Sequence, residues 1–208
     1  MGGGGVNEIV IYGCGGHARS VINVIRKISE DIEIVLVDEN AGDNEKVLGC
    51  RTVRQYELKE DDGYIIAIGD NAKRRGLYEL LADKSMGNCI SIMSADSNIG
   101  IDTKIGKGTF IGANAYIGPQ AEIGNNTIIN TGSVIEHEVE IGNHTHIAPS
   151  ATICGRTRIG NNVFCGVGST VIDKIEICDN VVIGAGTVVK DNIIESGTYV
   201  GVPARRIS

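Results

Sequence analysis

The sequence predicts a two-domain protein: an α/β, Rossmann-like N-terminal domain over residues 1–88, then a parallel β-helix of six-residue repeats over residues 89–208. Three observations predict it. A strand, a glycine loop and an amphipathic segment follow one another near the N-terminus. Two further apolar runs repeat the strand pattern. From Ile99 to Ile194 an aliphatic or small residue then recurs every six positions without a break. A period of six sustained this long is a repeat architecture and takes precedence over local readings of secondary structure.

The first element is residues 7–12, Asn-Glu-Ile-Val-Ile-Tyr, a buried strand. Gly13-Cys14-Gly15-Gly16-His17 follows as a loop. Val21, Ile22, Val24, Ile25 and Ile28 then recur at helical spacing. Residues 32–37, Ile-Glu-Ile-Val-Leu-Val, form the second strand and end at Asp38. A βαβ unit places a carboxylate about 20 residues beyond its glycine loop, against a ribose or base. The loop glycines let backbone N–H groups approach a pyrophosphate at the positive end of the helix. The dinucleotide pattern is incomplete, since Ala18 stands where its third glycine would be. A structural turn with no ligand is therefore the competing reading.

Gly63-Tyr-Ile-Ile-Ala-Ile-Gly69 reads as a third parallel strand, because it is almost continuously apolar. Asp70-Asn71-Ala72-Lys73-Arg74 stands at its carboxyl end, and Leu77, Leu80 and Leu81 continue a second helix. Open α/β sheets bind ligands at the carboxyl ends of their strands. Gly13, Asp38 and Gly69 all fall there. Residues 89–94 are a short strand or linker into the repeats.

In each repeat the first residue, as at Ile99, Ile105 and Ile111, is expected to point inward. The fifth is small or β-branched, from Thr103, Thr109 and Ala115 to Val181 and Thr187, and suits a crowded corner. The second is most often Gly, as at Gly100, Gly106, Gly118 and Gly166, and is read as a backbone conformation that a side chain would penalise. Stacked coils bury a continuous ladder of Ile, each supported by its neighbours. Gly197-Thr-Tyr-Val-Gly201-Val-Pro203-Ala-Arg205-Arg206 closes the stack, which would otherwise expose apolar residues and strand edges.

Composition narrows the function. The 208 residues carry a net charge of -7, which argues against a nucleic-acid or anionic-membrane surface. No apolar run approaches the ~20 residues that span a bilayer, and Met1–Gly5 lacks the apolar core of a signal peptide. The six cysteines form no CxxC pair and read as free thiols in a reducing cytoplasm.

Three of the four histidines lie in one stretch, His137-Glu138 and His144-Thr-His146. They use repeat positions free to face outward. Three histidines beside a glutamate suggest zinc, but the repeat spacing separates them onto different sides of a coil, so no metal site is expected within one chain. For His144 a plain surface role is the first reading.

The repeats resemble those of hexapeptide-repeat acyltransferases, which form a left-handed parallel β-helix with three hexads per coil. The handedness comes from that resemblance, since crossovers generally prefer the right hand. A closer resemblance runs from about residue 7 to the end. Gly13-Cys-Gly-Gly-His17, Ile-Gly69-Asp-Asn71-Ala-Lys-Arg74, Ile-Glu-His137-Glu138, His146-Ile-Ala-Pro149 and Gly197-Thr-Tyr-Val-Gly-Val-Pro203-Ala-Arg205 match, in order, a bacterial family of sugar acetyltransferases. It has an N-terminal nucleotide-sugar domain and includes N-acetyltransferases of nucleotide-linked 4-amino-4,6-dideoxy sugars and sialic-acid O-acetyltransferases. Cys14 departs from the alanine usual in the family, and is small enough to fit.

The resemblance implies His137 as the catalytic base, with Glu138 orienting it, and His146 in the acetyl-CoA pocket. It implies Asn130 near the sugar, and Gly13, Gly15, Gly16, His17, Asp38, Gly69, Asn71 and Arg74 around the nucleotide sugar. It also implies a homotrimer with active sites between protomers. A coil edge offers backbone amides to the pantetheine arm, with Gly155, Val167 and Ala185 as candidates. Gly155, eighteen residues after His137, would sit directly above it and donate to the thioester oxygen. Lys190, Arg205 and Arg206 are candidates for the phosphates of acetyl-CoA, against a plain reading as solvated charges.

The expected reaction is direct transfer of acetyl from acetyl-CoA to the C4 amine of such a sugar. A protonated amine cannot attack a thioester, and histidine titrates in the range suited to deprotonating it. O-acetylation of sialic acid is the alternative within the family. A catalytically silent scaffold and a zinc enzyme of the γ-carbonic-anhydrase kind are the alternatives outside it. Which of UDP, dTDP or GDP carries the sugar, its stereochemistry and the glycan pathway are not written in the residues.

Overall fold

The computed structural model describes residues 8–84 and 86–208. Met1–Gly5 and Asn7, the first residue of the expected opening strand, lie outside the described residues. β1 (Glu8–Tyr12) leads through α1 (Gly16–Ile28) to β2 (Glu33–Val37). The short strands β3 (Lys46–Val47) and β4 (Cys50–Val53) follow, then β5 (Gly63–Ile66), α2 (Asn71–Lys84) and β6 (Asn88–Cys89). One sheet results, in the order β3-β4-β2-β1-β5-β6, parallel except for the β3–β4 hairpin. The run ending at Gly69 is strand only to Ile66, because the chain must turn there into α2. Nothing in the sequence pattern announces the hairpin. Its turn residues Leu48 and Gly49 both take positive φ (49° and 81°), and Leu48 is exposed.

α1 buries Ala18, Val21, Ile22, Val24 and Ile25, while Ile28, the last member of the periodic set, is exposed. On the other side of the sheet Leu81 is buried and Leu77 half-buried against Tyr12, Tyr64 and Ile66. Leu80, expected on that helix face, is exposed.

Residues 92–189 form a three-sided parallel stack in which each strand pairs with the one eighteen residues on: Phe110 with Ile128, Tyr116 with Val134, Glu122 with Glu140. Three hexads therefore make a coil. The closing strand Gly197–Val200 joins the stack in parallel at a spacing of sixteen, and Arg205–Arg206 returns antiparallel. The stack starts one hexad earlier than the repeat pattern shows, at Ile92–Met93. The inward residues are Ile, Val and Cys, with Ile111, Ile117, Ile129, Ile135, Ile147 and Ile153 fully buried. From Thr109 on the fifth-place residues are buried too, and several of their hydroxyls serve the stack: Thr109, Thr127 and Thr145 donate to the carbonyls of Gly124, Gly142 and Gly160 at 2.9–3.0 Å.

One expectation is corrected. The second-place glycines are not there for an unusual backbone. A Cβ at Gly100, Gly106, Gly118 or Gly166 would stand 2.5–2.6 Å from main-chain atoms of the next coil, so close stacking excludes it. The left-handed backbone falls two places later, where Asp102, Asn114, Gln120, Asn126, Glu138 and His144 have φ between 52° and 61°. Asn and Asp recur there because they tolerate that conformation better than most residues.

The three faces carry different outward residues. The first face, built on Phe110, Ile128 and His146, is covered by the N-terminal domain. Ile92, Phe110 and Ile128 join one apolar cluster with the buried side of α1, and Lys27 pairs with Asp96 at 2.7 Å beside it. The second face presents Tyr116, Val134, Thr152, Thr170 and Val188, all half-buried. The third presents charges that pair across coils, Lys104 with Glu122, and Arg158 with both Glu140 and Glu176.

Candidate active site

The expected residues gather in two places, a cleft and a corner. The cleft lies at the carboxyl ends of β1, β2 and β5. Gly13 has φ 106°, its N–H donates to the Val37 carbonyl at 2.8 Å, and a Cβ there would stand 3.0 Å from the Ala67 carbonyl oxygen. Only glycine lets the chain cross so close to β5. Gly15 caps α1 without a side chain, and the first turn holds no acidic residue. The positive end of the helix dipole is thus left facing the cleft. Asp38 accepts from the Cys14 N–H at 3.3 Å, the Cys14 S–H at 3.1 Å and the Asn40 N–H at 3.0 Å. The Cys14 thiol, first among these bonds, holds the carboxyl below its usual range, while burial and the same bond push the thiol up to about 11.

His17 and His146 face each other across the domain seam, their ring centres 6.4 Å apart. Burial, with smaller contributions from nearby cationic groups, pulls His17 down to about 3 and His146 down to about 4. Both are neutral at physiological pH. His17 packs edge-on to Phe110, and its Nε2 is buried with no partner among the described residues. His146 Nδ1 is 3.2 Å from the Gly69 carbonyl and its Nε2 is 3.2 Å from Asn130 Nδ2. Beside this pair a cavity of about 340 Å³ is lined by Gly69, Asn71, Asn162, Phe164, Asn180 and Val182. Phe164 and Asn162 were not legible as lining residues. Their one signal is the aromatic Phe164 outward on the strand between His146 and Val182 of the neighbouring coils, since an outward aromatic calls for cover.

Arg74 is corrected. It was expected against the nucleotide sugar, but it is 1% exposed and spends its donors on carbonyl oxygens of both domains. Asn71 lines the cavity, yet its amide donates to the Val163 carbonyl at 3.0 Å and accepts from Arg74 at 2.7 Å.

The corner joins the second and third faces. His137 Nδ1 is 2.9 Å from Glu138 Oε2. Adjacent strand residues normally point apart, and Glu138 reaches back because its own φ is 58°. A carboxylate only accepts, so Nδ1 carries the proton and Nε2 presents a lone pair. The ring lies over Gly155, where a Cβ would be 2.7 Å from both Cε1 and Nε2. The Gly155 N–H has no partner among the described residues. Both acidic and imidazole groups are about half exposed.

Val167 and Ala185 stack on the corner between the first and second faces, where Gly186 N–H donates to the Val167 carbonyl at 2.9 Å. The second face therefore has His137 and Gly155 along one edge and Val167 and Ala185 along the other. Lys190 pairs with Asp191 at 3.1 Å, and Arg205 is exposed in the closing strand. A larger cavity of about 880 Å³ runs along the third face. It holds none of the expected site residues, and its rim charges pair with one another. His144 stands at a third corner, against Tyr78 and Asn126. Among the described residues no group of three His, Cys, Asp or Glu is placed to hold a metal ion.

Comparisons with known proteins match both parts of the chain. Residues 8–81 match the PglD N-terminal domain. Residues 102–137 and 123–155 match the bacterial transferase hexapeptide, and residues 156–191 match the hexapeptide repeat of succinyl-transferase. The chain is a hexapeptide-repeat acetyltransferase with a PglD-type N-terminal domain. PerB from Caulobacter crescentus, in complex with CoA and GDP-perosamine, is 29% identical, with a TM-score of 0.86 over 98% of this chain and 99% of that one. The acetyltransferase domain of PglB from Neisseria gonorrhoeae is 24% identical, with a TM-score of 0.91 over 97% of this chain and 100% of that one. WeeI from Acinetobacter baumannii is 21% identical, with a TM-score of 0.87 over 96% of this chain and 99% of that one. These last two likenesses establish the fold of the acetyltransferase, including its left-handed β-helix. No curated protein sequence matches it significantly.

Proposed function

We propose that the protein transfers acetyl from acetyl-CoA to the C4 amine of a nucleotide-linked 4-amino-4,6-dideoxy sugar, with His137 as base. One observation carries the reading: the His137 Nε2 lone pair is open above Gly155 while Glu138 holds Nδ1. In this scheme the sugar ammonium gives a proton to Nε2. The freed amine attacks the thioester carbonyl, forming the C–N bond. The oxyanion accepts from the Gly155 N–H. Collapse breaks the C–S bond, the leaving thiolate takes the proton from the imidazolium, and the freed Nε2 takes the second proton from the new amide nitrogen and releases it to water. The complex of PerB with CoA and GDP-perosamine supports the substrate class. The open α1 N-terminus is suited to a diphosphate.

Within one chain the base and the cleft border opposite edges of the second face. Among the described residues that face is uncharged, half-buried and uncovered, whereas the first is covered and the third is charged. We place the protomer contact there. Packing second faces head to tail brings the His137 corner of one protomer beside the Asn130 and His146 edge of the next, and such contacts close into rings. A trimer is the ring this reading favours. The six cysteines are free, and no described helix is long and apolar enough to cross a membrane. Free thiols suit a reducing cytoplasm.

Thiol release from acetyl-CoA is the test, with UDP-, dTDP- and GDP-linked 4-amino-4,6-dideoxy sugars and with free and nucleotide-activated sialic acid. Turnover on a nucleotide amino sugar is expected. Turnover on sialic acid alone would replace this reading with O-acetylation.

A further inference from the structure

Arg74 heads the fully buried side chains by size, and among the described residues it forms no ion pair. Its guanidinium is held by oxygens alone. Nε donates to the Asn126 carbonyl at 3.0 Å, and Nη1 to the carbonyls of Ile68 at 3.0 Å and Gly69 at 3.3 Å. Nη2 donates to Asn71 Oδ1 at 2.7 Å and to the carbonyls of His144 at 2.8 Å and Thr145 at 3.3 Å. Asn126 Nδ2 returns a bond to the Arg74 carbonyl at 3.3 Å. One side chain thus pins the loop after β5 onto two successive coils.

Burial pulls the guanidinium down to about 10, against a smaller push upward from Asp70, so it stays cationic at neutral pH. A buried cation is tolerated only where its donors are satisfied. The planar five-donor fork can do this; the single ammonium of lysine cannot reach the same set. A simple apolar seam would join the domains without such a group, so its position calls for another account.

That account starts at Gly69. Its carbonyl accepts from Arg74 and lies 3.2 Å from His146 Nδ1. A carbonyl cannot donate, so His146 carries its proton on Nδ1. Nε2 then accepts from Asn130 Nδ2 at 3.2 Å, because Asn130 Oδ1 takes the Thr131 N–H at 2.8 Å. Arg74, Gly69, His146 and Asn130 form one hydrogen-bonded chain from the domain seam to the edge of the cleft.

We infer that Arg74 is a positioning residue for the nucleotide-sugar cleft: by pinning the Gly69 carbonyl it fixes the tautomer and direction of His146 and, through it, the amide of Asn130. The inference rests on the function proposed above for its kinetic arm, and on the hydrogen-bond chain alone for its spectroscopic arm.

Long-range ¹⁵N–¹H spectra of the protein labelled at its four histidines, assigned with His146→Gln, read the tautomer directly. The wild type is expected to carry the His146 proton on Nδ1. Arg74→Lys is expected to give a mixture of tautomers. It should also raise KM for the nucleotide amino sugar about tenfold, with KM for acetyl-CoA within about twofold. Arg74→Gln, shorter and neutral, is the second variant if the lysine protein does not fold. A wild-type proton on Nε2 would overturn the inference. So would a folded variant that loses only thermal stability, with tautomer and KM unchanged, since that is a strut and nothing more. If no nucleotide sugar turns over in the wild type, the function fails, and the tautomer still judges Arg74.

Discussion

The corner at His137 and the cleft at His146 come from the same repeat ladder and differ in everything that sets chemistry. His137 is about half exposed, bonded on one nitrogen only, and set over a glycine. His146 is 8% exposed, engaged on both nitrogens, and pulled down to about 4 by burial. The cause is which side of the coil each occupies. The N-terminal domain covers the first face, and none of the described residues covers the corner beyond the second. A repeat therefore supplies similar backbone at every coil, and cover decides whether a histidine stays open to solvent or becomes a fixed hydrogen-bonding group.

His137→Ala breaks the comparison hardest. It is expected to lower kcat by ~10²–10⁴ and to leave Tm unchanged, because little packing is lost. Equal activity would remove the base from the corner. The same variant tests where the cleft partner comes from. Co-assembling His137→Ala with Asn130→Ala should restore about a quarter of wild-type activity if each site joins two protomers, and none if each site lies within one chain.

The sequence made the corner legible and left the cleft half hidden, for a physical reason. A six-residue period is local, so the Ile ladder followed from spacing, while the three-hexad coil and the pairing of Glu138 with His137 came from the resemblance to the acetyltransferase family. The glycine loop and Asp38 followed from the strand–loop–helix order. Arg74 was misread because its partners, Asn126, His144 and Thr145, lie in another domain and offer main-chain carbonyls, which leave no trace in residue identity. The second-place glycines were misexplained for a related reason: what excludes a side chain there is the next coil, eighteen residues away. Residues 46–53 escaped because a short hairpin with an exposed Leu48 has no apolar alternation to display.

Acid should separate the two regions next. A group whose folded pKa lies below its unfolded value binds protons preferentially when unfolded. His17 at about 3 and His146 at about 4 both start from 6.5. Their contribution is complete above pH 6.5 and is lost as pH falls from 6.5 toward 4. The expected loss is on the order of 2 kcal/mol for each imidazole by pH 5. Urea unfolding between pH 8 and pH 5 measures it, together with the share of His144, which burial also lowers, and His146→Gln should reduce the slope. A wild-type stability that stays flat to pH 5 would mean that the cleft admits water freely to both rings.

Glu138→Gln is the finest cut, because it keeps the shape of the corner and removes one charge. The carboxylate is half exposed, so its bond to Nδ1 is screened and exchanges with water. The amide oxygen of Gln can still accept from Nδ1, but its NH₂ competes for the same place and favours the wrong tautomer. The expected loss in kcat/KM is about tenfold, with KM for acetyl-CoA unchanged. That is far less than a buried carboxylate earns in a hydrolase triad, where orientation and imidazolium stabilisation act without screening. A loss as large as that of His137→Ala would mean that a neighbouring protomer closes over the corner and dries it. No loss at all would leave Gly155, stacked beneath the ring, as what holds the imidazole in place.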